Sequence, residues 1–151
     1  MTLKLCTILI FSSMLSAPGF LEGAEPERDI EYDTKHERDV LDFWPALTSG
    51  EPAPVLVWFH PGGFRDGDKS QLQKNRSEML QAYRNAGYAV VSCNYPFLSD
   101  DIDHLEIVKH CARAVQFVRS KAKDWNIDPA RLCCCGVSAG ALISEFLAYH
   151  D

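Results

Sequence analysis

The chain has 151 residues, of which 46% are hydrophobic and 11% aromatic, as expected for a globular protein with a buried core. Its formal net charge is -6 and its isoelectric point is about 5.3. It therefore lacks the clustered positive charge with which proteins bind nucleic acid, and we expect no nucleic-acid partner.

The first 24 residues are typical of a secretory signal peptide. Lys4 precedes a mostly apolar stretch that ends at Leu15, and small residues lead to a cleavage position near Ala24. The apolar stretch falls short of the roughly 20 residues that span a bilayer. We expect a signal peptide over 1–24, a secreted or periplasmic mature protein over 25–151, and no integral membrane span once the signal is removed.

Cys6 lies in the predicted signal peptide, so five of the six cysteines remain in the mature chain. An odd number of cysteines cannot all pair with one another. Cys133, Cys134 and Cys135 are adjacent, and neighbouring side chains of a strand point to opposite faces, so they cannot jointly hold one ion. We expect them to be small buried hydrophobic residues, and we expect neither a metal nor a cofactor.

The first part of the mature chain predicts four strands and a helix. Two short β-rich stretches, Ile30–Tyr32 and Val40–Trp44, predict a hairpin, and the apolar run Val55–Phe59 predicts a strand buried on both faces. Apolar residues at helical spacing then predict a helix that ends at Gly87: Leu72, Met79, Leu80 and Tyr83. The next strand covers Ala89–Tyr95.

The second half predicts a helix, a strand and another helix. Asp103 and Glu106 resemble a capping box, and one helical face follows it: Leu105, Val108, Ala112, Val115, Val118 and Ala122. After a turn at Asp128-Pro129, Leu132–Val137 predicts a third buried strand, and Ala139–His150 predicts a helix. Alternating strands and helices predict an α/β fold with a mostly parallel sheet and helices on both faces.

Gly136-Val137-Ser138-Ala139-Gly140 matches G-x-S-x-G between a predicted strand and a predicted helix, which is the context that this motif requires. The motif forms a sharp turn that lifts the serine hydroxyl above the sheet, so the two flanking positions must lack bulk. The helix that starts at the serine directs N–H groups and partial positive charge toward an oxyanion. Ser138 is therefore a candidate nucleophile.

His60-Pro61-Gly62-Gly63-Phe64 follows a predicted strand and resembles the H-G-G-G loop of lipases and esterases, whose N–H groups complete an oxyanion hole. Proline has no N–H, but Gly62 and Gly63 keep theirs and would act beside the N–H of Ala139. We interpret His60 as support for the loop and not as the base that takes the Ser138 proton.

Together, these segments resemble the esterase and lipase branch of the α/β hydrolases, in particular its hormone-sensitive-lipase-like and feruloyl-esterase-like (BD-FAE-type) members. The resemblance extends over about 30–150 and implies the N-terminal portion of an α/β-hydrolase fold. It also implies a carboxylic-ester hydrolase with a serine acyl-enzyme, in which Ser138 attacks a small-molecule ester. The chain departs from the family pattern at Pro61, Pro96 and Ala141.

In this fold the triad acid and then the histidine follow the serine, and only three candidates do so here: Glu145, His150 and Asp151. A helix would carry His150 about 18 Å from Ser138, and His36, His104 and His110 precede the serine, so they are interpreted as surface or core residues. We therefore expect a truncated, catalytically incomplete chain without the triad Asp and His. Its exposed sheet edge would favour self-association.

Two alternatives stay open. One is a non-catalytic fragment or interaction module that retains the hydrolase architecture, and the other is a serine peptidase of the same fold. The sequence does not determine the acyl or alcohol group of the substrate.

Overall fold

The structure is a computed structural model that describes residues 25–47 and 50–150. Within these residues five strands form one sheet in the order β1-β2-β4-β3-β5. The strands are β1 (Glu27–Glu31), β2 (Val40–Trp44), β3 (Ala53–Phe59), β4 (Ala89–Cys93) and β5 (Ile127–Gly136). β1 and β2 form the predicted hairpin and run antiparallel to their neighbours, whereas β4, β3 and β5 are parallel. The predicted signal peptide lies outside the described residues.

Four helices cover the described sheet: α1 (Gln71–Asn75), α2 (Ser77–Asn85), α3 (His104–Ser120) and α4 (Ala139–Tyr149). Side chains of β3 alternate between two cores, as the pleat of a strand requires. Leu56 and Trp58 pack with α1 and α2 on one face of the sheet. Val55, Val57 and Phe59 pack with α3 and α4 on the other face. The predicted α/β architecture with helices on both faces is confirmed.

The helix predicted to end at Gly87 is two helices, separated by Arg76 with φ -142° and ψ 34°. Its apolar anchors, Leu72 and Leu80, both contact the same core. Residues eight apart lie on one face of an amphipathic helix, so the apolar spacing indicated the buried face but not the break at Arg76.

The buried face of α3 also differs from the prediction. The buried residues are Ile107, His110, Cys111, Ala114, Val115 and Val118, whereas Leu105 is 53% exposed. α3 carries two adjacent apolar stripes, and periodicity alone does not determine which one faces the sheet. Its predicted start is confirmed, because the Asp103 carboxylate accepts a hydrogen bond from the Glu106 N–H at 2.8 Å.

β5 corresponds to the third strand that was predicted to be buried. It begins earlier than expected, and apart from Ile127 its residues are exposed or only partly buried. Cys133 is exposed, and Cys134 and Cys135 are only partly buried. The prediction of three buried cysteines was therefore wrong. β5 pairs with β3 at the edge of the described sheet, so no described strand covers its outer side. The five described cysteines are all free thiols.

Candidate active site

Ser138 lies in the sharp turn between β5 and α4. Its backbone has φ 54° and ψ -116°, a conformation that side-chain-bearing residues rarely adopt. Ser138 is exposed, while the next two residues are buried. The Leu142 N–H donates to the Ser138 carbonyl at 3.1 Å, so the hydrogen bonding of α4 begins at this serine. The turn thus presents the hydroxyl at the positive end of a helix.

Two glycines permit this turn because their neighbours are backbone atoms. A Cβ added at Gly136 would lie 2.6 Å from the Phe59 carbonyl oxygen and 2.5 Å from the Gly140 carbonyl carbon. A Cβ added at Gly140 would overlap that Phe59 oxygen and lie 3.1 Å from the His60 oxygen. The requirement for small residues on both sides of the serine therefore has a steric cause, which is the close approach of α4 to the end of β3.

The glycine-rich loop after β3 lies at the same sheet edge as Ser138. β3 and β5 are parallel neighbours, and Phe59 is in register with Gly136, so both chains leave the sheet at one level. Gly62 and Gly63 have φ values of 136° and 60°. The N–H groups of Arg65 and Asp66 donate to the Gly62 carbonyl at 3.0 and 3.1 Å, and this turn uses neither glycine N–H. Gly62, Gly63 and Ala139 thus lie at one edge of the sheet, and the donor role of their N–H groups stays a prediction.

His60 is fully buried at the start of the loop. Its ring stacks on Tyr95 with centroids 4.1 Å apart, and its Nδ1 lies 2.8 Å from the Pro61 carbonyl oxygen. The Tyr95 hydroxyl donates to the His60 carbonyl at 2.6 Å. Burial, with a further contribution from Arg38, lowers the pKa of His60 to about 4. These contacts hold the ring against Tyr95 and Pro61, and the role of His60 as loop support stays a prediction.

Residues that the sequence analysis did not single out hold the far end of the loop. The Lys69 ammonium lies 2.7 Å from the buried Asp42 carboxylate of β2 and 2.6 Å from Asp29. The Asn94 side chain accepts from the Lys69 N–H at 2.7 Å and donates to Asp68 at 3.0 Å. Burial alone would raise the pKa of Asp68, but hydrogen bonds from Ser70 and Asn94 lower it to about 2. The loop is therefore fixed to β1, β2 and the end of β4.

No hydrogen bond joins a histidine to the Ser138 hydroxyl within residues 25–47 and 50–150. His110 is buried against Asp39, with Nδ1 2.7 Å from a carboxylate oxygen. His150 stacks on Phe146 just beyond the far end of α4. His36 and His104, which are partly buried and exposed, also have aromatic neighbours. That these histidines do not serve as the base stays a prediction.

No cluster of three or more His, Cys, Asp or Glu side chains in the described part of the chain is arranged to hold a metal ion. No helix in the same residues is long and apolar enough to cross a bilayer.

A nucleophile-type turn beside a glycine-rich loop, at the carboxyl edge of parallel strands, defines the class of α/β hydrolases. The family model described as BD-FAE matches residues 41–151. The chain therefore belongs to the BD-FAE family of α/β-hydrolase esterases.

Known relatives agree with this family. Esterase LipQ from Mycobacterium tuberculosis (strain ATCC 25618 / H37Rv) is 31% identical over 123 residues, which are 80% of this chain and 28% of the relative. A solved truncated form of a carbohydrate esterase from gut microbiota superposes with a TM-score of 0.71 at 20% identity, over 82% of this chain and 42% of that one. Esterase Est2 of Thermogutta terrifontis gives 0.67 at 21% identity, over 84% and 44%. The chain thus spans less than half the length of these relatives.

Proposed function

We propose that this protein hydrolyses carboxylic esters of small molecules through a serine acyl-enzyme. Ser138 attacks the ester carbonyl, and the N–H groups of Gly62, Gly63 and Ala139 stabilise the negative oxygen of the tetrahedral intermediate. The observation that carries the proposal is the strained turn at Ser138, held by two glycines beside the loop after β3 in a chain of an esterase family.

Acyl transfer also needs a group that takes the Ser138 proton and returns it to the leaving alcohol. A histidine base and its carboxylate partner are the two groups still to be assigned. Without the histidine and the carboxylate, a backbone oxyanion hole and substrate binding still accelerate hydrolysis to some extent. The part of the rate that depends on Ser138 is then lost. Hydrolysis by this chain therefore tests the serine and its base together.

The predicted signal peptide supports a second part of the proposal, which is that the protein acts outside the cytoplasm, as a secreted or periplasmic enzyme. Export would present the site to ester substrates in the surroundings of the cell. N-terminal sequencing of the protein recovered from culture medium or periplasm would test it. A mature chain that starts near residue 25 is expected, and a cytoplasmic protein that starts at Met1 would contradict it.

The test of activity is the hydrolysis of p-nitrophenyl acetate by the purified chain and by Ser138→Ala. The matched control is Ser144→Ala, because Ser144 lies on the same helix and its hydroxyl donates to the Gly140 carbonyl at 2.8 Å. Turnover by the wild type and the control, with none above buffer by Ser138→Ala, would support the serine route and would require a base that acts on Ser138. If all three proteins equal buffer, the proposed hydrolysis by this chain is wrong. A p-nitroanilide analogue in parallel tests the peptidase alternative.

The outer side of β5 favours a second candidate function, self-association through this edge. Of the four large hydrophobic side chains that are exposed in the described residues, one directly follows β5 and two belong to α4, the helix after it: Val137, Leu142 and Tyr149. An unpaired strand edge with apolar neighbours is a template for pairing with a second copy. Light scattering after gel filtration should show a dimer that Leu142→Lys weakens, and a monomer at all concentrations would contradict it.

A further inference from the structure

Arg38, in the connection between β1 and β2, contacts three separate parts of the candidate site. Its Nε donates to the Tyr95 carbonyl at 2.8 Å, and its Nη2 donates to the Gly67 carbonyl at 3.0 Å. The same Nη2 lies 3.4 Å from Nε2 of His60. The guanidinium also lies over the Phe97 ring, 3.9 Å from its centroid. One cationic side chain therefore joins the loop after β3 to the segment after β4.

These contacts define the chemical state of His60. The Pro61 carbonyl can only accept a hydrogen bond, so Nδ1 of His60 carries the proton and Nε2 presents its lone pair to Arg38. Burial and the Arg38 charge lower the pKa of His60 and favour this neutral form, while the hydrogen bond to Pro61 and the more distant charges of Asp68 and Asp66 oppose them. His60 is thereby held as one neutral tautomer.

The His60 ring is also the support around which the loop folds. A Cβ at Gly67 would overlap both the Pro61 carbonyl oxygen and the His60 ring. The backbone at Gly67 therefore packs directly against the start of the loop. Arg38 then holds the Gly67 carbonyl from the other side. Gly62 and Gly63 lie within the segment closed in this way, so their N–H directions depend on the closure.

We propose that Arg38 is a positioning residue that holds the loop 60–67, and with it the oxyanion donors, in its working geometry. The inference rests on the proposed function for its catalytic consequence. An arginine suits this role because its planar fork reaches Tyr95, Gly67 and His60 at once, whereas a lysine ammonium cannot match that spread.

The experiment compares Arg38→Met with wild type, with Arg38→Lys, and with Arg113→Met as matched control. Arg113 pairs with Asp33 of the same β1–β2 connection at 3.2 Å but makes no hydrogen bond to the loop. Nitrogen NMR of the imidazole rings and amide exchange of residues 62–67 report the loop without any substrate. In Arg38→Met we expect a higher His60 pKa, a shifted Nε2 signal and faster exchange. Arg113→Met should match wild type.

Kinetics with p-nitrophenyl acetate give the second readout. We expect Arg38→Met to lower kcat about 10- to 100-fold with KM nearly unchanged, since misplaced donors weaken the transition state more than ground-state binding. Arg38→Lys should fall between Arg38→Met and wild type. If Arg38→Met fails to fold, Arg38→Gln replaces it, because glutamine keeps an amide NH2 donor but carries no charge.

Unchanged His60 NMR signals and unchanged loop exchange in a folded Arg38 variant would overturn the positioning role. A different outcome is that Arg38→Met loosens the loop while the wild type shows no hydrolysis that depends on Ser138. That outcome would overturn the proposed function and leave the positioning role of Arg38 intact.

Discussion

Gly140→Ala tests the steric account of the turn at Ser138. In an ordinary helix this change stabilises a protein by about 0.5–1 kcal/mol, because alanine is the better helix former. Here the added Cβ would overlap the Phe59 carbonyl oxygen and lie 2.7 Å from its carbonyl carbon. These are backbone atoms of a central strand and cannot rotate away. Because the overlap is with fixed backbone, we put the overpacking cost at about 4 kcal/mol, above its usual range of about 1–3 kcal/mol. After subtracting the gain in helix propensity, we expect a net loss of about 3 kcal/mol.

Urea unfolding followed by the fluorescence of buried tryptophan measures this loss. With a slope of about 1.5 kcal/mol per molar urea, 3 kcal/mol lowers the midpoint by about 2 M. Gly63→Ala is the control, because its Cβ meets nothing within 4 Å and only the φ of 60° opposes it. We expect it to cost about 1 kcal/mol. A Gly140→Ala protein as stable as wild type would refute the idea that α4 is seated against the Phe59 carbonyl.

Three further predictions concern the loop and the sheet edge. Lys69→Met leaves the buried Asp42 without one of its cations and should lower the unfolding free energy by about 3 kcal/mol, whereas the exposed Lys109→Met should change it by less than about 1 kcal/mol. The pKa of His60 is about 4 in the folded chain and about 6.5 in the unfolded chain. As the pH falls, the unfolded chain therefore binds a proton at this histidine before the folded chain does. Stability should therefore decline by about 3 kcal/mol between pH 6.5 and 4, and His60→Gln should flatten this decline in urea titrations. The exposed Cys133 should react with DTNB in the native protein, and a fast phase that survives Cys133→Ser would contradict its exposure.

Local patterns predicted the strands, the turn at Ser138 and the glycine-rich loop because each depends on residues close in sequence. The N-cap at Asp103 is of this kind, since its partner Glu106 lies three residues along the chain. The glycines flanking Ser138 were found from their short motif, although their steric role also involves the distant Phe59 carbonyl. The same applies to the helix that starts at Ala139. The family resemblance rested on these short segments, and it was confirmed.

Contacts between distant segments could not be predicted in this way. Arg38 lies in a charged turn with no motif, and its partners are 22 to 57 residues away. The exposure of Cys133 depends on the position of β5 at the edge of the described sheet, which strand propensity does not encode. Likewise, α3 has two apolar stripes, and the packing of the whole sheet selects between them.

The register of Phe59 with Gly136 also bears on the order of folding. These partners are separated by 77 residues (136 minus 59), so closing β3 against β5 costs far more chain entropy than closing the β1–β2 hairpin. We expect the hairpin to form early and the β3–β5 pair late. Before that closure nothing forces Ser138 to positive φ, so its strained backbone is acquired only as the sheet is completed. An incompletely folded chain would thus carry an ordinary serine at position 138.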